Sequence, residues 1–295
     1  MHLGEHVATA DQVTRLIAVQ HPAWAGLPVV AVSDFGTDHC LFRVGEDLVA
    51  RMPRVAWAAD QAASDAAWLP VLAPHLPVAV PEPLAAGEPG EGFPWPWSIV
   101  PWLPGTTPAA YDESRSHLAD DLAAFVCALH AVPTDGGPIK APGTRGAPLA
   151  DWDEAVREAI LACGSRIDRA RVTEAWDDCV HAPVREAPGV WIHGDLMVGN
   201  LLMTGDRLSA VIDFGAVGVG DPAPDLLPAW CVLPASARSR FRDLVGYDDA
   251  TWRRSRGWAL GPALTGIPYY WNTAPAFAER GLRTIDIVLA DLASS

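Results

Sequence analysis

The stretch from Val190 to Asp225 constrains this chain most. It reads Val-Trp-Ile-His-Gly-Asp-Leu-Met-Val-Gly-Asn-Leu-Leu-Met, a turn at residues 204–207, then Leu-Ser-Ala-Val-Ile-Asp-Phe-Gly-Ala-Val-Gly-Val-Gly-Asp-Pro-Ala-Pro-Asp. Asp195, Asn200 and Asp213 each lie beside a short apolar run of strand type, a placement that aims polar side chains out of strand ends into a shared cleft. Phosphoryl transfer needs such a set. One carboxylate faces the acceptor hydroxyl, while an amide oxygen and a second carboxylate hold Mg2+ on the nucleotide phosphates. Asp195 takes the first role, and Asn200 and Asp213 the other two. The plain alternative is two Asp-bearing turns between buried strands, but matched spacing in a strand-loop-strand context is a specific signal.

The spacing His-x-Asp-x-x-x-x-Asn followed by Asp-Phe-Gly matches the catalytic and metal loops of protein kinases. Two features depart from that pattern: Gly194 stands where protein kinases carry Arg, and no lysine follows Asp195. With His193-Gly194-Asp195, Asn200, Ile212-Asp213-Phe214-Gly215, Gly220-Asp221-Pro222 and Asp225, the chain resembles the aminoglycoside phosphotransferase family of small-molecule kinases. The resemblance implies an α+β, bilobal, protein-kinase-like fold. A small antiparallel-sheet lobe with one main helix would span residues 1–102, with a hinge near 100–105, and a larger, mostly helical lobe residues 103–295. It implies ATP or GTP as donor, Mg2+, and a hydroxyl of a small molecule as acceptor: an antibiotic of aminoglycoside, macrolide or peptide type. A housekeeping kinase for an amino-alcohol or sugar, and a nucleotide-binding pseudokinase, are the alternatives, since fold does not fix substrate.

Length and charge fit that picture. The chain has 295 residues, 50% of them hydrophobic, enough for two lobes with substantial cores. Twenty-one basic against 36 acidic side chains give a net charge of −15, which disfavours nucleic acid and anionic membranes and would draw in a cationic acceptor. The five cysteines are widely spaced, without a Cys-x-x-Cys pair, so neither a disulfide framework nor a zinc site is expected. No signal-peptide pattern or membrane-length apolar run is present, and a cytoplasmic location is expected. Oligomeric state is not legible.

In chain order, Thr9-Ala10-Asp11-Gln12 has capping-box form and opens a short helix. Residues 29–52 read as a three-strand meander, and Gly36 and Thr37 in its first turn are the candidate phosphate-covering loop. On the third strand Leu48, Ala50 and Met52 share one face and Val49 and Arg51 the other. The single lysine of the chain is Lys140, in a Pro/Gly-rich stretch. Arg51 is therefore the candidate phosphate-binding cation, unless it is an ordinary surface residue. A helix is expected from Ala56 to Leu69, ending before Pro70; Asp65 lies on it where the resemblance implies a carboxylate that pairs with the strand cation Arg51, the alternative being an ordinary solvated carboxylate. A fourth strand is expected around Leu84 to Ala86, and a fifth at Trp97 to Val100. At the hinge implied by the resemblance, the Val100 carbonyl and Trp102 amide are candidates for the purine's hydrogen bonds, and Trp97 and Trp102 are candidates to line its pocket, the alternative being that these indoles pack the core.

Beyond residue 112 the composition is helical, with an amphipathic helix ending near His130. A Gly/Pro-rich loop at 133–148 follows, then helices near Trp152 to Cys163, Asp168 to Ala182, Ala235 to Val245, Asp248 to Leu264 and Pro275 to Leu292. The resemblance gives Asp221 and Asp225 an anchoring role at the catalytic loop. The acceptor pocket it places among the C-terminal helices has Trp230, Tyr269, Tyr270, Trp271, Glu279 and Asp225 as candidate lining residues. The alternative is that the aromatics simply pack the lobe.

Overall fold

The computed structural model describes residues 5–32, 38–115 and 117–294; Gly36 and Thr37 of the expected phosphate loop lie outside them. The chain divides into two compact units, residues 1–105 with 210–215, and residues 106–209 with 216–295.

The smaller unit is a five-stranded antiparallel sheet with helices. Helix α1 (Ala10–Gln20) starts at Thr9, whose hydroxyl accepts from the Gln12 amide at 3.2 Å. Gln12 does not complete the capping box, because its side chain donates to Glu91 O at 3.0 Å. Strands β1 (Val29–Ala31), β2 (His39–Val44), β3 (Leu48–Pro53), β4 (Ala85–Gly87) and β5 (Trp97–Pro101) run in the order β1-β2-β3-β5-β4. Alternation along β3 sorts its side chains. Ala50 and Met52 join Val13, Leu16, Ile17, Phe42 and Ile99 in the core under α1, while Arg51 projects from the opposite face to Asp65 of helix α2 (Gln61–Leu72).

Helix α2 corrects the expected boundaries. It begins five residues later than the composition suggested, after a 3-10 turn at Ala56–Ala58, and runs through Pro70 to Leu72. A proline in the last turn forfeits one backbone hydrogen bond, and the complete burial of Leu69 and Leu72 outweighs that loss. Residues 210–215 belong to this unit because Val211 N donates to Ala79 O at 3.0 Å.

The larger unit contains helices α3 (Leu118–His130), α4 (Asp153–Cys163), α5 (Arg169–Val180), α6 (Pro228–Cys231), α7 (Ala235–Val245), α8 (Asp249–Tyr270) and α9 (Pro275–Ser294). Helix α8 is its axis: Asp248 caps it by accepting from Thr251 N at 2.8 Å, and it packs on α4, α5 and α9. It extends six residues past the expected end at Leu264, through Pro262 and Pro268, so that Tyr269 and Tyr270 are helical and not inter-helix residues. Gly257 permits the close packing, since a Cβ there would lie 2.2 Å from a Leu149 methyl. Strand β6 (Val190–Ile192) pairs antiparallel with β9 (Gly218–Gly220), and β7 (Leu201–Thr204) pairs with β8 (Arg207–Val211). The first pair places the 193–200 loop. Among the described residues no helix is long and apolar enough to cross a membrane.

Candidate active site

The 193–200 loop leaves β6 over a buried carboxylate. Asp225, with 0% of its side chain exposed, accepts from His193 N at 2.9 Å, Gly194 N at 2.6 Å and His130 Nε2 at 3.1 Å. A buried charge needs several donors, and these three tie the loop's entry to α3. The other ring nitrogen of His130, Nδ1, lies 2.8 Å from the Tyr247 hydroxyl. Burial raises Tyr247 to about 12, so the phenol keeps its proton for that bond. Asp225 was a candidate substrate contact; its burial and three donors exclude this. Asp221 is likewise committed, to Arg254 Nε at 2.6 Å and Ala223 N at 2.9 Å.

Within the loop, Asp195 N donates to His193 Nδ1 at 3.1 Å, giving the histidine a bracing contact. Asn200 Nδ2 donates to Asp195 O at 2.8 Å and to Asp195 Oδ2 at 3.1 Å. The Asn200 donors are thus spent on Asp195, and Oδ1 is the oxygen left for a metal. The other carboxylate oxygen, Asp195 Oδ1, accepts from Arg145 Nη1, which also donates to Gly194 O at 2.9 Å. Sequence reading missed Arg145. It sits 50 residues upstream of Asp195 in a stretch without periodicity, and its only signal was a loop-borne cation beside Lys140 in a chain poor in basic residues.

In the smaller unit Arg51 and Asp65 meet at 2.6 Å, with side chains 10% and 1% exposed. Arg51 Nη2 lies 3.6 Å from Asp213 Oδ1. With its amide oriented to satisfy its neighbours, Gln61 accepts from Arg51 Nη2 at 3.1 Å and Gly215 N at 2.9 Å; it is a second residue that sequence reading did not single out. Asp213 adopts φ 65°, a left-handed conformation that Asp tolerates better than most residues. Burial outweighs the pull of Arg51 and, with the nearby Asp213 charge, raises Asp65 to about 6. Asp65 Oδ1 is buried without a hydrogen-bond partner. His39 is pushed down to about 3, first by burial and then by Arg51, against an opposing effect of Asp213. It stays neutral beside the cluster.

Three expectations for the purine site are corrected. Trp97 is fully buried and donates to Glu88 O at 3.1 Å, so it is a core residue. The Trp102 amide donates to Asp47 O at 2.7 Å and is unavailable to a base. Because Val49 opposes Val100 in the same ladder, alternation turns the backbone groups of Val100 towards β3 as well. Past the end of β4, the outward groups are Pro101 O and Leu103 N. The Trp102 ring carries Arg43 at 4.3 Å.

Of the acceptor candidates, Trp230 is buried and donates to Ser255 Oγ at 3.1 Å, so it packs the unit. Tyr269 is 59% exposed and stands edge-on to Tyr270 at 4.7 Å. Tyr270 lies 5.3 Å from Phe277, Arg166 stacks over Trp271 at 4.1 Å, and Glu279 is exposed. Close behind Asp195 is Cys231, whose thiol burial raises to about 11; Thr284 hydrogen-bonds it, and Arg145, Asp195 and Arg280 add their charges.

Among the described residues no cluster of three His, Cys, Asp or Glu side chains is arranged to hold a metal ion by itself. Mg2+ does not need such a cluster: it binds one or two protein oxygens and completes its shell with phosphate and water. The half-exposed Asp213 carboxylate and Asn200 Oδ1 are oxygens of the required hardness. The unpartnered Asp65 oxygen beside Arg51 likewise marks a polar cluster with hydrogen-bonding capacity unused.

The fold defines the class of protein. The GDP complex of wild-type aminoglycoside 2'-phosphotransferase-IIIa superposes with a TM-score of 0.75 at 20% identity, covering 97% of this chain and 100% of that one. The chain thus has the α+β kinase-like fold of the aminoglycoside phosphotransferases. The model of the phosphotransferase enzyme family matches residues 31–258, and the chain belongs to that family. An aminoglycoside 3'-phosphotransferase of Escherichia coli is 27% identical over 164 residues, covering 52% of this chain and 59% of that protein. A homoserine kinase of Granulibacter bethesdensis is 30% identical over 200 residues, 60% of each chain. The chain therefore spans about three fifths of the length of these curated relatives.

Proposed function

We propose that this protein transfers the γ-phosphoryl group of ATP or GTP to a hydroxyl of a small molecule. The observation that carries the reading is the Asp195 carboxylate, fixed through Asn200 on one oxygen and Arg145 on the other, on a loop held by Asp225. The acceptor oxygen forms a bond to the γ-phosphorus, the bond from that phosphorus to the β,γ-bridging oxygen breaks, the nucleoside diphosphate leaves, and Asp195 takes the hydroxyl proton. Arg51, positioned by Asp65, binds phosphate oxygens, while Pro101 O and Leu103 N meet the purine edge. Asn200 Oδ1 and Asp213 would hold Mg2+, which supplies charge neutralisation on the phosphates.

The acceptor is an antibiotic of aminoglycoside or macrolide type, and its modification inactivates it. The likeness to aminoglycoside 3'-phosphotransferase supports this reading, as does the net charge of −15. Tyr269, Tyr270, Trp271 and Glu279 form its outer wall. A second reading, a housekeeping kinase for a metabolite such as an amino-alcohol or sugar, is favoured by the homoserine kinase match. A screen of phosphate transfer from MgATP and MgGTP to aminoglycosides, macrolides, amino-alcohols and hydroxy amino acids tests both. Transfer to the first two classes with none to the others supports the antibiotic reading, and the reverse pattern supports the metabolite. Nucleotide binding with neither transfer nor hydrolysis overturns both.

A further inference from the structure

The loop from Asp195 to Asn200 carries no cation of its own, and Gly194 before it has no side chain. Arg145 supplies the missing charge through one guanidinium nitrogen that reaches both Asp195 Oδ1 and Gly194 O. We propose that Arg145 is a positioning residue for phosphoryl transfer, holding the Asp195 carboxylate in the orientation that accepts the acceptor's proton. The inference rests on the phosphotransferase reading above.

Three observations carry it. First, Arg145 sits on a built loop. Lys140 N donates to Val219 O at 2.9 Å, Val219 N to Pro138 O at 2.8 Å, and Asp221 N to Gly146 O at 2.9 Å. Lys140 Nζ reaches Ala216 O at 2.8 Å, and Gly143 is held between Asp151 and Trp152. The loop is tied to β9 and to the residues flanking it, so the guanidinium starts from a fixed backbone.

Second, the neighbouring glycine leaves the space. Gly194 has φ +78°, and a Cβ there would lie 3.1 Å from Ala216 O and 3.7 Å from Arg145 Cβ. An arginine in the loop itself, as protein kinases have, would meet those atoms. The cation comes from residue 145 because residue 194 has given up its side chain.

Third, the two contacts on Asp195 are complementary. Asn200 holds Oδ2 and Arg145 holds Oδ1, so rotation about the carboxylate bond breaks one of them, while each oxygen keeps a lone pair for the incoming proton. The pair is 24% and 30% exposed, and ion pairs this open to water add little to folding. Its effect therefore falls on turnover more than on stability.

The test uses the whole chain with MgATP or MgGTP, measuring nucleotide hydrolysis with water as acceptor and transfer to any acceptor the screen yields. Arg145→Ala and Arg145→Gln should lower kcat about 30- to 100-fold with nucleotide affinity within about twofold of wild type. Arg145→Lys should keep part of the rate, millimolar guanidinium should restore part of the alanine variant's rate, and in an Asp195→Ala background the loss of Arg145 should cost nothing further. A melting temperature close to wild type accompanies the expected result. Near-normal kcat in Arg145→Ala, an undiminished loss in the Asp195→Ala background, or a fall in rate matched by a fall in melting temperature in all three Arg145 variants would overturn the proposal. If the wild-type protein neither hydrolyses nor transfers, the phosphotransferase reading itself has failed and this inference goes with it. If wild type turns over and the variants match it, this inference alone is lost.

Discussion

The loop around Asp195 and the cluster around Arg51 are both charged and partly buried, yet they are finished to different degrees. At the loop, both carboxylate oxygens of Asp195 and of Asp225 have donors, and His130 extends the network to Tyr247. At the cluster, Asp65 has one oxygen on Arg51 and one on nothing, and its pKa rises to about 6 in spite of the guanidinium. The Asp195 carboxylate is thus preorganised by the fold, whereas the Arg51–Asp65 pair is held at an electrostatic cost.

The strongest way to break this comparison is to remove the finished carboxylate. Asp195→Ala should lower kcat by about 10²- to 10⁴-fold while nucleotide affinity, measured calorimetrically, stays close to wild type; near-normal turnover would show that the loop's order serves something other than catalysis. Arg51→Ala should next weaken nucleotide binding by about 10- to 100-fold, with Arg51→Lys intermediate because a point charge replaces a fork. If instead the alanine variant binds nucleotide normally, the cluster is structural.

Asp225→Ala leaves two buried amides and an imidazole without their acceptor, and should cost about 3 kcal/mol of stability in denaturant titration. A cost under about 1 kcal/mol would mean water completes the loop's network as readily as the carboxylate does.

The unfinished cluster also predicts a pH dependence of definite sign. A carboxyl whose folded-state pKa is about 6 against 3.8 for the free side chain binds its proton more tightly when folded. Its stabilising contribution is therefore fully present below about pH 4 and lost as the pH rises through about 6, at most about 3 kcal/mol in all. Asp65→Asn should flatten denaturation midpoints over that window. The smallest effect is expected at Tyr269, where substitution by Ser should change stability by under about 0.5 kcal/mol. A raised acceptor KM in that variant would place the residue in the acceptor wall, and an unchanged one would remove it.

Parts of the site were legible in the sequence because they are local. The spacing of Asp195, Asn200 and Asp213 follows from adjacent strands and turns, and the alternation of β3 put Arg51 opposite Met52 without reference to anything else in the chain. Asp65 was singled out by the resemblance and its helix by composition, although Pro70 misled as to where α2 ends, since propensity registers the lost hydrogen bond and not the burial of Leu72. Sequence left Trp97 and Trp230 open between pocket and core, and misjudged the Trp102 amide, for one reason: whether an indole or an amide is free depends on what the rest of the chain brings against it.

The order of the main elements, the two faces of β3 and the spacing of the loop residues were legible without the structure, because these depend on periods of two and 3.6 residues and on turn chemistry a few positions long. Tertiary structure alone decided which donors surround Asp225, that Arg145 reaches Asp195 across 50 positions of sequence, and that Asp65 keeps an oxygen unsatisfied. Burial and counter-charge come from segments that meet only once the chain has folded, and no local pattern encodes them.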